Sequence, residues 1–327
     1  EVSTRLPSLH LRLANASATA RHIGEAVSCL TDSITGRLLQ MAEASLGPPP
    51  VPYAWLAGGS QARREQSSHS DQDNALLLSD DFQPEHDEYF AALAKFVSDG
   101  LDACGFVYCP GDAMATNKQW RQPLRVWQGY FSGWIERPDP MSMMLSSIFF
   151  DLRPVTGSVE LFTPLQTMIL KKSQENRIFL ARMMANAMQH RPPLGFFRQF
   201  VLERGGEHDE TLDLKHRGIV PITDIARLLA LSLGKAQVNT VDRLRACAGT
   251  PALSTDMAEN LEDALEFIAS LRIQHQANQI RRGVKADNYV PPDQLSELER
   301  EHLKHAFKVI QLMQETMTKR FGADNLG

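Results

Sequence analysis

The sequence predicts an α+β fold class: a small mixed β-sheet domain flanked by helices, followed by an all-α helical bundle. Three observations predict it. Short apolar runs with turn-like borders lie among amphipathic helical stretches up to Gly157; no alternating strand pattern follows; and every later apolar stretch recurs at helical spacing. The chain has 327 residues, 43% hydrophobic and 22% charged, which suits about two folded domains and excludes a disordered chain.

The elements follow in order. Ile23, Val27, Leu30, Ile34, Leu38 and Met41 recur at helical spacing over 20–46, a helix closed by Gly47 and the prolines Pro48, Pro49 and Pro50. Tyr53–Ala57, ended by Gly58-Gly59, and Ala75–Leu78, ended by Ser79-Asp80-Asp81, have strand length. Tyr89, Phe90, Leu93, Val97 and Leu101 make residues 85–103 a helix. A loop rich in Gly, Pro and Asn spans 109–118, Trp120–Trp134 reads as an aromatic-rich helix, and Ser147–Leu152 reads as a third strand with Asp151 near its end. Helical spacing then marks 164–190, 193–203, 221–233, 237–248, 256–279 and 293–320, punctuated by turn residues and most simply arranged as an antiparallel bundle. A boundary near 160 gives domains 1–160 and 161–327.

Charge and cysteine content narrow the class. The formal net charge of -5 argues against a broad basic face for a nucleic-acid backbone. The charge-free stretches 44–62 and 140–150 are either broken by Pro and Gly or too short to span a bilayer, so no membrane association is expected. Cys29, Cys104, Cys109 and Cys247 lack a repeated CxxC spacing and fit reduced thiols in the cytoplasm. Cys104 and Cys109 lack a second Cys or His pair to complete a zinc site. The chain begins at Glu1 without a signal segment and reads as part of a longer protein.

The chemistry concentrates between the first two strands. Gly58-Gly59-Ser60 directly follows a strand, where backbone amides and a hydroxyl approach a polyphosphate closely, and Arg63 and Arg64 add charge-assisted donors. Asp71 and Asp73, two apart at the mouth of a strand, point to one face and can hold one or two divalent cations. Asp151 is the third carboxylate, because an acid in an apolar strand is costly unless paired. Blander readings exist for each. Asp71-x-Asp73 alone is a common turn pattern, Arg63 or Arg64 can pair with Glu65, and Asp151 can pair with Arg153. Asn117, Lys118 and Arg121 can be ordinary loop groups, and Lys215-His216-Arg217 can be a solvated turn.

Gly59-Ser60, a gap of ten residues, Asp71-x-Asp73 and a later Asp resemble the nucleotidyltransferase superfamily of DNA polymerase beta. The strings Pro48 to Leu56, Asp71-Gln72-Asp73-Asn74, Met114-Ala115-x-Asn117, Trp120-Arg121 and Phe150-Asp151-x-Arg153-Pro154-Val155-x-Gly157 resemble bacterial nucleotidyltransferases related to the PII-protein uridylyltransferase. Asp213 to Pro221 with Asp224-Ile225-Ala226-Arg227 is similar to their helical C-terminal domain. The resemblance implies magnesium-dependent nucleotidyl transfer from a nucleoside triphosphate to an acceptor hydroxyl on a protein or small molecule, with manganese able to substitute. It implies metal-binding and catalytic roles for Asp71, Asp73 and Asp151, and nucleotide-binding roles for Gly59, Ser60, Arg63, Arg64, Asn117 and Lys118. It also implies a signalling setting in which CBS or cyclic-nucleotide-binding domains precede the unit. The competing expectation is an inactive nucleotide-binding sensor that reports adenylate levels to attached domains or partners.

Overall fold

The computed structural model describes residues 8, 11–13, 15, 16, 18–67, 70–195 and 199–322; the start at Glu1 lies outside them. The chain divides into two compact units, one built on Arg21–Ser173 and the other on the chain from Gln174.

The first unit opens with helix α1 (Ala20–Leu46). A four-stranded mixed sheet has the order β3-β2-β1-β4, with β1 (Tyr53–Ala57), β2 (Asn74–Leu78), β3 (Arg121–Pro123) and β4 (Arg153–Gly157). β1 runs antiparallel to both β2 and β4, and β3 lies parallel to β2. Every residue of β1 and β2 is buried, which is why both read as continuous apolar runs rather than alternating ones. Helix α2 (Gly59–Ala62) is a single turn directly after β1. In helix α3 (Asp87–Ala103), Phe90 meets the ring of Tyr53 edge-on, and Gly100 lets Leu38 of α1 come so close that a Cβ there would lie 2.5 Å from it. The indole nitrogen of Trp127, in helix α4 (Leu124–Glu136), donates to the Leu76 carbonyl of β2 at 3.1 Å. Trp120, Trp127, Phe131 and Phe149 form a buried aromatic core.

Two expectations for the sheet region are corrected. The apolar run at 147–152 is not a strand. Pro140–Phe149 forms helix α5, because the Asp139 carboxylate caps it by accepting from Ser142 N at 2.7 Å and Pro140 occupies the first turn. Asp151 therefore stands in the turn before β4. The helix expected over 120–134 begins only at Leu124. Arg121–Pro123 is strand β3, and Pro123, which has no N–H to give a helix, stands at the N-cap.

Helix α6 (Phe162–Glu175) closes the first unit, and helix α7 (Arg177–Ala187) opens the second; Asn176 caps α7 by accepting from Phe179 N, so the expected 164–190 helix is two. The second unit is mostly helical, with α8 (Val220–Ser232), α9 (Thr240–Cys247), α10 (Thr255–Arg281) and α11 (Glu297–Phe321). The central α8 buries ten of its residues and packs on α7, α9 and α11. It is not wholly helical: β5 (Leu212–Asp213) pairs with β6 (Tyr289–Val290). The helix expected over 193–203 is absent among the described residues, where Leu194 bridges Phe200 instead; residues 196–198 lie outside them. Among the described residues no helix is long and apolar enough to cross a membrane.

Candidate active site

The sheet register assembles the site. Ala57, the last residue of β1, pairs with Asn74 on one side and Arg153 on the other. The segments entering β2 and β4 thus reach the same sheet end, bringing Asp73 and Asp151 to the place where the chain leaves β1 through Gly58-Gly59-Ser60. Gly58 N donates to the Asp73 carbonyl at 2.8 Å. Gly59 has φ +51, and a Cβ on it would lie 2.4 Å from Asp73 Oδ2. Glycine is required there both for the left-handed backbone and for room beside the carboxylate. Ser60 follows in the first turn of α2, where helical amides lack intrahelical acceptors.

Asp71 and Asp73 share a face because the intervening Gln72 is anchored inward. Its side-chain amide donates to the Ser98 and Phe106 carbonyls at 3.0 and 2.7 Å, and its backbone N–H donates to Val107 at 2.9 Å. Asp71, Asp73 and Cys109 each offer a donor atom within 4.8 Å of the others, and all three are half-buried. Burial pushes the Cys109 thiol up to about 11, reinforced by the charge of Asp73 and a hydrogen bond to it. The two carboxylates are hard oxygen donors, which fit a divalent cation such as magnesium. Cys109 is the residue that sequence reasoning missed. It enters the site because the 105–117 loop turns back along β2, where Asn74 N donates to Ala113 O at 3.0 Å and Ala115 N donates to Asn74 Oδ1 at 2.8 Å.

The third carboxylate reaches the same sheet end but takes a cationic partner. Asp151 is fully buried and accepts from Arg63 Nη1 at 2.7 Å, and Arg63 Nε donates to Glu65 at 2.8 Å. The alternative pairing with Arg153 does not form. Arg153 Nη2 instead grips Asp32 of α1, at 2.9 Å to Oδ2, and donates to the Gln61 carbonyl. The acidic group closes on Cys109 rather than on Asp151.

The remaining predicted nucleotide ligands have surroundings of their own. Arg64 is exposed, with φ +58. Asn117 caps a short turn and donates to Asp112 at 2.9 Å, and Lys118 pairs with Asp87 at 3.0 Å. Asp87 is raised by burial, but hydrogen bonds to Lys118 and Arg121 outweigh that and leave it below the usual carboxylate range. Arg121, almost wholly buried, donates to the Ala115 and Thr116 carbonyls and so fixes the 113–117 loop. In the second unit Lys215–Ile219 is a π-helical turn; His216 bonds Asp213 at 2.8 Å, and Arg217 pairs with Glu203 at 3.1 Å.

Residues 4–141 match the family described as Putative nucleotidyltransferase DUF294, and residues 177–321 match DUF294_C, described as Putative nucleotidyltransferase substrate binding domain. No curated protein matches the chain. Asp71, Asp73 and Cys109 lie inside the first matched region; Asp151 lies in neither.

Proposed function

We propose, from the premise that the chain carries a DUF294 putative nucleotidyltransferase domain followed by a DUF294_C substrate-binding domain, that its first unit transfers a nucleotidyl group from a nucleoside triphosphate to an acceptor hydroxyl. The observation that carries this is the register of β1 against β2 and β4, which directs Asp73 and Asp151 to the sheet end where Gly59 and Ser60 begin α2.

Asp71 and Asp73 would hold magnesium or, in its place, manganese; the bound cation supplies charge neutralisation to the triphosphate and to the pyrophosphate leaving group. The amides of Gly59 and Ser60 and the guanidinium of Arg63 bind the phosphates, with Arg64, Asn117 and Lys118 as outer contacts. The acceptor oxygen bonds to the α-phosphorus as the bond to the bridging oxygen of pyrophosphate breaks, and Asp151 takes the hydroxyl proton. Arg63 changes partners in this scheme. Its guanidinium compensates the buried charge of Asp151, and a triphosphate that takes this guanidinium would leave the carboxylate to accept the proton. The chain from Gln174 binds the acceptor, a protein or small molecule, in a cytoplasmic signalling role.

A second reading, a nucleotide-binding sensor without transfer, is favoured by one observation: the acidic group closes with Cys109 while Asp151 is engaged by Arg63. One experiment separates the two. The protein is incubated with each labelled nucleoside triphosphate and magnesium, with cell lysate as the acceptor source. Label transfer with pyrophosphate release, lost in Asp71→Asn/Asp73→Asn, supports the enzyme. Tight triphosphate binding with no transfer to any lysate component supports the sensor.

A further inference from the structure

Outside the two aspartates, the donor that stands out is the sulfur. Cys109 is one of four cysteines among the described residues; Cys29 is exposed, Cys104 half-buried and Cys247 buried. Cys109 alone among them belongs to a group of potential ligands, its Sγ within 4.8 Å of carboxylate oxygens from both Asp71 and Asp73. The sulfur is held there by backbone geometry. Cys109 N points at the sulfur of Met114 at 3.2 Å, and Asp112 N donates to the Cys109 carbonyl at 3.0 Å, closing the turn over Pro110 and Gly111. Met114 and Ala113 are buried, which ties that turn to the core beside β2.

We propose that Cys109 is a third donor to this centre, so that a thiophilic divalent cation of the zinc class binds through Asp71, Asp73 and Cys109 and displaces magnesium. The inference deepens the proposed reading of the site and rests on its cation. Magnesium, a hard ion, gains nothing from sulfur and uses the carboxylates with substrate phosphate. A zinc-class ion gains a strong bond to thiolate and is content with four ligands, three of which this set supplies. On binding, the thiol gives its proton to solvent as the sulfur–metal bond forms, and no electron is transferred. An Asp2Cys set occupied in this way keeps out the magnesium that the triphosphate needs, so the zinc class acts as an inhibitor at the active centre itself.

Cadmium is the probe, because its bond to thiolate gives an ultraviolet charge-transfer band whether or not the protein turns over substrate. Titration of the full chain is expected to give a band that saturates at one cadmium per chain, and Cys109→Ser abolishes it while Cys29, Cys104 and Cys247 remain. Asp73→Asn is expected to weaken cadmium binding by about tenfold or more. Zinc should slow alkylation of Cys109, whereas magnesium alone should not. A band retained in Cys109→Ser, or none in the wild type, overturns the proposal. The two levels of inference fail differently. Magnesium-dependent triphosphate binding without a cadmium band removes only the role of Cys109, whereas a band without any triphosphate binding leaves the metal centre standing and removes the nucleotidyl reading.

Discussion

Asp73 stands just before β2 and Asp213 ends β5, and polar groups follow each within a few residues, yet the fold uses them in opposite ways. Asp213 is surrounded by donors from its own turn: Lys215 N and His216 N at 3.0 and 2.9 Å and the His216 ring at 2.8 Å. Its charge is compensated locally, and what it stabilises is the entry to α8. Asp73 is brought instead against another carboxylate and a thiol, with Gly59 clearing space at its Oδ2. Gathering two carboxylates in one place is unfavourable unless a ligand or counter-charge completes the group. The lesson is that an acid is informative about function when potential metal ligands gather beside it and the backbone leaves it room.

The largest effect should come from breaking the ligand side of that comparison. Replacing both Asp71 and Asp73 by Asn is expected to lower magnesium-dependent transfer by roughly three orders of magnitude, about 4 kcal/mol of transition-state stabilisation. Thermal unfolding should stay level or rise, since like charges are removed from one place. Transfer by the double variant within a factor of about ten of wild type would end the metal-site reading.

Asp151 tests whether the third acid does chemistry or only balances Arg63. Asp151→Asn should lower transfer strongly while leaving triphosphate affinity within about tenfold, under roughly 1.4 kcal/mol. Because it leaves Arg63 short of a buried partner, it should also cost about 2–3 kcal/mol in denaturant unfolding of the first unit. Loss of stability together with changed affinity and no measurable wild-type transfer is the signature of the sensor.

Gly59→Ala sharpens the claim that room beside Asp73 matters. The left-handed φ costs an L-residue about 1 kcal/mol, and the added methyl must push the carboxylate aside. Manganese binding, followed by electron paramagnetic resonance, should weaken by about tenfold. Unchanged binding with an unchanged fold would show that the clearance has no role in holding the cation.

How much of this was legible follows from the range of each interaction. β1 and β2 were legible because Tyr53–Ala57 and Ala75–Leu78 are apolar throughout and bounded by Gly58-Gly59 and Ser79-Asp80. α1 and α3 were legible from periodicity alone. α5 was not, because Ile148, Phe149 and Phe150 look strand-like until the Asp139-Pro140 cap is weighed against them. β3 escaped because three residues carry no pattern and their partner is β2, far back in sequence. The same holds at the site. Asp71 and Asp73 are neighbours in sequence and were found; Cys109 beside them, and Arg63 on Asp151, exist only once the 105–117 loop and β4 have docked on the sheet.

The smallest effect belongs to the structural side of the comparison, and it is a pH dependence. Burial raises Asp213, but hydrogen bonds from His216 and its amide, the charge of His216 and the Lys215 amide together leave it below the ordinary carboxylate range. The unfolded chain therefore binds this proton more readily than the folded one. The contribution of Asp213 to stability is complete above its unfolded value, near pH 4, and is lost as pH falls through the lower folded value. Amide chemical shifts of Lys215 and His216 should follow this titration with a midpoint below that of an ordinary aspartate. Asp213→Asn should remove the transition and flatten the acid limb of unfolding, while leaving the cadmium and manganese titrations of the first unit unchanged. A midpoint at or above the ordinary value would mean that the His216 and amide contacts do not outweigh burial, and the contrast with Asp73 would lose its structural side.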